Sequence, residues 1–210
     1  MNLRFCHVAC KIVRDLISAY TCRQERKMPE RYLIEHCAPT LAAIKTGNLF
    51  SISVHSREEA YQEAREINRI LRRRGLRAIP VKRRGNRALI YLYRPAFLKR
   101  DLLDPEAAEI LRKRGYCPGN TQSCLTQLLQ HLANDEDFPH EIGLFLGYPP
   151  ADVRGFIQSP SRGVQCVGYW KVYENRNRAE ETFQRYRQCS LCYRREYERG
   201  VPLEQLAVQS

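Results

Sequence analysis

The sequence predicts a single α+β domain, with a small, mainly antiparallel sheet of roughly three to five strands packed with several helices. Three observations carry that expectation. Long stretches repeat apolar residues at helical spacing, the strand-like runs are short and bounded by turn residues, and no internal repeat or low-complexity linker divides the 210 residues. With 43% hydrophobic residues, a chain of this length can bury a core.

Residues 1–27 look unlike the rest. They hold Cys6, His7, Cys10 and Cys22, lack a helix cap and end at Arg26-Lys27 before Met28, the second of two methionines. They read as an extension outside the fold, with Met28 as an alternative start and 28–210 as the domain. The spacing Cys6-His7-x-x-Cys10 superficially resembles a metal or haem attachment site, and it is irrelevant if Met28 is the start.

From Pro29 the signals become regular. Ile34, Cys37, Leu41 and Ile44 follow helical spacing, although Pro39 is expected to bend or split that helix into 32–37 and a second turn from Thr40. Lys45-Thr46-Gly47-Asn48 reads as a helix C-terminus and turn leading into a strand over 49–54. Ser56 and Glu59 form a capping box. The helix behind it buries Ala60, Ala64, Ile67 and Leu71 and stops at Gly75. Strands over 76–82 and 88–93 flank the hairpin residues 83–87, and the run Ala-Leu-Ile-Tyr-Leu-Tyr at 88–93 is apolar on both faces, as the centre of a doubly covered sheet requires.

Pro95 and Asp104-Pro105 open two further helices, the second closed by Gly115, and 121–133 is helical through Leu125, Leu128, Leu129 and Leu132. Residues 138–149 form a short, almost wholly apolar segment; if helical it is buried on every side, with His140 and Glu141 at its mouth. Pro149-Pro150 starts a helix over 151–157. A strand is expected over 166–173, and Ala179, Phe183, Tyr186, Ser190, Tyr193 and Tyr197 line one long helix.

No apolar run approaches the roughly 20 residues that cross a bilayer, and charges interrupt 1–20, so the chain reads as cytosolic with no membrane span. Nine cysteines at irregular spacing argue against a disulfide framework. The net charge of +12 has a narrow source: between Arg69 and Arg100 stand twelve Lys or Arg and no Asp or Glu. Arg72, Arg73, Arg74, Arg77, Lys82, Arg83, Arg84 and Arg87 would form a surface for polyanions, RNA or DNA. Against this, 28 of the 35 basic residues are Arg, a compositional bias that needs no ligand, and no nucleic-acid-binding motif accompanies the charge.

Several blocks together carry a resemblance. They are Glu30-Arg-Tyr-Leu-Ile-Glu-His-Cys-Ala-Pro-Thr-Leu41, Lys45-Thr-Gly-Asn-Leu-Phe50, Ala88-Leu-Ile-Tyr-Leu-Tyr-Arg-Pro95, the run from Pro139 to Pro150, Asp152-Val-Arg-Gly-Phe156 and Cys166-Val-Gly-Tyr-Trp-Lys-Val-Tyr173. In this order, from about Met28 to Val208, the chain resembles a bacterial family of domains of unknown function (domain of unknown function 3793). The resemblance brings no reaction, substrate or cofactor, and implies at most a link to iron or redox physiology.

Within those blocks, Glu35, His36, Cys37, His140, Glu141 and Cys166 have side chains of the types that bind iron or zinc. Their joint presence is the only reason to expect convergence, and neighbours in a helix point about 100° apart, so at most one of His36 and Cys37, and one of His140 and Glu141, can face a shared site. Lys45, Asn48, Arg94 and Lys171 are candidate contacts for a small anion. Cys189-x-x-Cys192 lies inside a helix with no partner pair and reads as packing. No P-loop, Gly-x-Ser-x-Gly elbow or His-Glu-x-x-His helix occurs, which leaves a classical hydrolase least favoured. The working expectation is an accessory protein that binds a metal, cofactor or small anion. The alternatives are a polyanion-binding module and a scaffold for a protein partner.

Overall fold

Alternation of side chains along three strands sets the architecture of the computed structural model, which describes residues 30–134 and 138–209. The expected extension 1–27, its cysteine spacing and the start at Met28 lie outside the described residues. Strands β1 (Gly47–Ser53), β2 (Arg77–Arg84) and β3 (Arg87–Tyr93) pair antiparallel in the order β1-β3-β2. A second, two-stranded sheet pairs β4 (Cys166–Val167) with β5 (Lys171–Val172). In chain order the helices are α1 (Glu30–Leu41), α2 (Arg57–Leu71), α3 (Pro95–Leu102), α4 (Pro105–Lys113), α5 (Thr121–Asn134), α6 (Ile142–Phe145), α7 (Pro150–Gln158), α8 (Arg176–Glu198) and α9 (Leu203–Leu206). The result is a single α+β domain, and no described helix is long and apolar enough to cross a membrane.

Successive residues of a strand leave opposite faces. Ala88, Ile90 and Leu92 therefore enter one core with Phe50, Ile52 and Ala78, closed by α1, α2 and α9, while Tyr91 and Tyr93 enter another with Leu49 and Val81, closed by α3 to α7. Burial of each large apolar side chain contributes about 1.5–3 kcal/mol, so β3, covered on both faces, is the best anchored strand. A third cluster joins Trp170 and Val172 to Ala179, Phe183 and Tyr186 of α8.

Local chemistry explains the boundaries. Ser56 Oγ accepts from the Glu59 amide at 3.1 Å, and the Glu59 carboxylate accepts from the His55 amide at 2.5 Å, so the capping box closes one residue upstream of its usual register. The two-residue Gly85-Asn86 turn has φ 59 at Gly85, the geometry that only glycine adopts cheaply. β2 is an edge strand, which accommodates Pro80 and a register shift between Pro80 and Lys82. Lys82, Arg83 and Arg84 on that edge also discourage pairing with another chain.

Three elements depart from expectation. Helix α1 runs unbroken through Pro39, because seven of its last nine residues are buried and this packing outweighs one missing amide bond. It ends at Leu41, and the left-handed residue that follows is Ala43 at φ 56; Lys45–Asn48 is thus not the helix terminus, and Gly47 instead opens β1. The expected strand over 166–173 is a hairpin. Gly168 sits at the bend, where a Cβ would stand 2.2 Å from the Phe183 ring, and the bend sends Trp170 inward. Only Ile142–Phe145 of the segment 138–149 is helical.

Arg94 was expected to contact an anion, and its setting is different. It is fully buried, and its guanidinium donates to the carbonyls of Thr40 (2.7 Å), Leu41 (2.8 Å), Val208 (2.8 Å) and Arg74 (3.1 Å). Replacing it by Met leaves those carbonyls without a charged donor, each worth about 1–3 kcal/mol when buried and unmade. Urea unfolding of Arg94→Met is expected to show a loss of about 3 kcal/mol or more, and Arg94→Lys, lacking the planar fork, to recover less than half of it. Full stability in either variant would contradict this role.

Candidate functional site

A cavity of about 530 Å³ opens where α1, the start of β1, the 138–146 segment, α7 and the β4–β5 hairpin meet. Each element brings different chemistry. α1 supplies Glu35 and His36, and the loop into β1 supplies Lys45 and Asn48. His140 and Phe138 come from the turn before α6, Tyr148 and Phe156 from α7 and its approach, and Trp170 and Lys171 from the hairpin. Arg187 of α8 also lines it.

The walls are aromatic and locked. Tyr148 stacks on Trp170 with centroids 5.0 Å apart, Trp170 meets Phe183 edge-on at 4.5 Å, and His140 meets Phe156 edge-on at 4.9 Å. Asp152 fixes Trp170: its carboxylate accepts from the indole Nε1 at 2.7 Å and from the Tyr173 and Glu174 amides at 2.7 and 3.0 Å. That carboxylate is buried, and three donors satisfy it.

Positive charge is concentrated among the polar groups. Lys171 donates to the Pro160 carbonyl at 2.6 Å and lies 5.5 Å from the Phe156 centroid. Lys45 is 4% exposed, donates to the Gly47 carbonyl and sits 5.2 Å from the Tyr148 centroid. Among the described residues it forms no ion pair. Burial pulls its amine down to about 7, with Cys37, whose own thiol is pushed up by burial, opposing. Burial also lowers His36, with Glu35 opposing, which favours the neutral imidazole near pH 7. Glu35 is held by Arg31 at 2.8 Å, and the Asn48 carboxamide accepts from the Thr40 hydroxyl at 2.8 Å.

Of the residues singled out from sequence, the cavity gathers Glu35, His36, Lys45, Asn48, His140 and Lys171. It takes His36 but not Cys37, which is buried in the sheet core, and His140 but not Glu141. Glu141 faces a separate buried cluster, where it accepts from the Tyr116 hydroxyl at 3.0 Å and lies 3.3 Å from His131 Nδ1. Burial first, and the Glu141 carboxylate second, raise the Tyr116 phenol. Cys166 lies on the hairpin, outside the cavity. The six candidate ligands thus do not converge, and among the described residues no three His, Cys, Asp or Glu stand close enough to hold a metal ion. All six described cysteines are free; Cys189 is half-buried and Cys192 exposed.

The basic run also divides in space. Arg72, Arg73, Arg74 and Arg77 lie at one end of β2, and Lys82, Arg83, Arg84 and Arg87 at the other, roughly 20 Å away at about 3.3 Å per residue. Several of these donors serve the fold: Arg77 bonds the Arg72 and Leu76 carbonyls, Arg83 the His55 carbonyl and Arg87 the Ser51 hydroxyl.

Sequence reasoning passed over Tyr148, Asp152 and Arg187 in the cavity, and Tyr116 and His131 beside Glu141. Asp152 stands in the first turn of α7, where any carboxylate complements the helix dipole, and nothing local signals that its oxygens serve the hairpin instead.

Residues 33–207 match the model of a family described as protein of unknown function (DUF3793), and the chain belongs to that family. Among curated proteins and among solved structures, nothing matches it.

Lys45 gives the site a measurable signature. Its folded value of about 7 lies below the ordinary 10.5, so between those values the unfolded chain binds more protons and stability contributed at this position rises with pH. Lys45→Met should therefore melt higher than the natural chain at pH 6, by at least about 2–4 °C, the response of a chain this long to about 1 kcal/mol. The gap should close towards pH 10. A gap that is constant or widens with pH, followed by thermal melts, would refute a buried amine of lowered basicity.

Proposed function

We propose that this member of the family binds a small organic anion with a flat apolar body in the cavity between α1 and the β4–β5 hairpin. One observation carries the reading: two cations, Lys171 and Arg187, and the buried amine of Lys45 line an aromatic-walled space whose two carboxylates are already engaged, Glu35 by Arg31 and Asp152 by Trp170 and two amides. Ligand pockets commonly combine an apolar lining with a few placed polar groups. The neutral form favoured at His36 adds an N–H donor without adding charge. Among the described residues a metal-binding reading has no converging donor set, and a polyanion would have to bridge two basic groups separated by the length of β2.

Trp170, the single tryptophan, reports on the site directly. Titration with 2-naphthoate should quench its fluorescence saturably at sub-millimolar to millimolar concentration, and Lys171→Gln or Arg187→Gln should weaken binding roughly tenfold, about 1.4 kcal/mol. Quenching that never saturates, or that neutral 2-naphthalenemethanol matches, defeats the proposal.

A further inference from the structure

We propose that Lys45 is the nucleophile of this cavity, condensing with an aldehyde or ketone group of the bound anion to hold it as an imine. This rests on the anion-binding reading above and adds a bond to it.

The amine is placed for such a reaction. Lys45 lines the 530 Å³ cavity and also a second, more polar groove of about 720 Å³, the two sharing the wall formed by Lys45, Tyr148, Asp152 and Trp170. Its single hydrogen bond is one that it donates, to the Gly47 carbonyl, and no described carboxylate pairs with it. Once a proton leaves, the nitrogen lone pair is committed to no partner. A desolvated lysine of lowered basicity is the form that attacks carbonyl carbon near neutral pH, and burial supplies that condition here. Tyr148, stacked on Trp170 and 5.2 Å from the nitrogen, holds the amine beside an aromatic wall on which a flat ligand can lie.

The step balances without an oxidant or a reductant. The amine lone pair forms a C–N bond as the C=O π pair moves to oxygen. Both amine protons then leave with that oxygen as water, and the C=N double bond remains. The polar groove on the other side of the shared wall offers the water a way out. His36, in the same cavity and favoured in its neutral form, is the residue chemically suited to relay those protons.

The test uses the full chain with 4-formylbenzoate and sodium cyanoborohydride, which reduces an imine to a stable secondary amine, followed by peptide mapping. Lys45 should be modified at least about tenfold faster than any of the other six lysines. Its rate should rise half-maximally near pH 7, where ordinary lysines respond near 10. Excess 2-naphthoate, which occupies the same cavity and carries no aldehyde or ketone to condense, should slow the labelling of Lys45. Labelling spread over exposed lysines with a midpoint near 10 overturns the inference. Saturable 2-naphthoate quenching without an adduct at Lys45 overturns the imine alone and leaves anion binding intact, whereas absence of both removes both.

Discussion

One buried guanidinium holds the half of the cavity that carries His36 and Lys45. Arg94 donates from its guanidinium to four backbone carbonyls, and two of the four belong to Thr40 and Leu41 at the end of α1, where the helix dipole already concentrates negative potential. Its own amide donates to the Thr46 carbonyl at 2.9 Å, so the same residue also ties the segment leading into β1 to the end of β3. Bonds to Arg74 and Val208 bring in the turn after α2 and the end of the described chain. The loop between Leu41 and Gly47, with Lys45 in it, is therefore spanned by anchors on both sides. A hydrogen bond to a charged group contributes about 1.5–3 kcal/mol, and four of them explain how a charge can sit where no water reaches.

The opposite wall depends on a buried negative charge handled in the same way. Asp152 spends its oxygens on the Trp170 indole and on two amides at the end of the hairpin, which orients the tryptophan that Tyr148 stacks against. Close backbone approach completes the arrangement: at Gly155 a Cβ would lie 2.4 Å from the Tyr173 ring. The cavity lies where the three apolar clusters meet, with Leu49, Ile142, Leu146 and Val153 from one, Trp170 from another and α1 from the third. Tyr148 packs against two of them and lines the cavity between.

What could be read from sequence was local. The capping box at Ser56 and Glu59, the Gly85 turn and the doubly buried run at 88–93 are written within a few residues, and the helix and strand periods follow from them. Pro39 misled because tertiary packing of α1 outweighs a local breaker. The strand over 166–173 misled because composition does not reveal a bend that one glycine permits. Contacts across the fold leave no local trace: Arg94 reaches residues 53, 54, 20 and 114 positions away, and Glu141 meets His131 and Tyr116 while its neighbour His140 turns to the cavity. Adjacency limited His36–Cys37 and His140–Glu141 to one contributor each and could not say which, whereas Glu35 and His36 both line the cavity. The basic run, continuous in sequence, is split in space because β2 is extended along its middle.

Lys45 is the residue that the fold does not need. A methionine would fill similar volume beside Tyr148 without the cost of desolvating an amine, and buried charges replaced by apolar groups are often neutral or stabilising. Cys37 offers no counter-charge, because its thiol stays protonated in the core. Residues that break local consistency in this way cluster at functional sites. The two proposed roles of the cavity also constrain each other. An anion resting against Lys45 would favour the ammonium form and suppress attack, so a ligand that forms the imine must present its carbonyl to Lys45 and its negative group to Lys171 or Arg187. Electrostatics alone thus gives such a ligand a direction, with its flat body along the Tyr148–Trp170 wall between two chemically different ends.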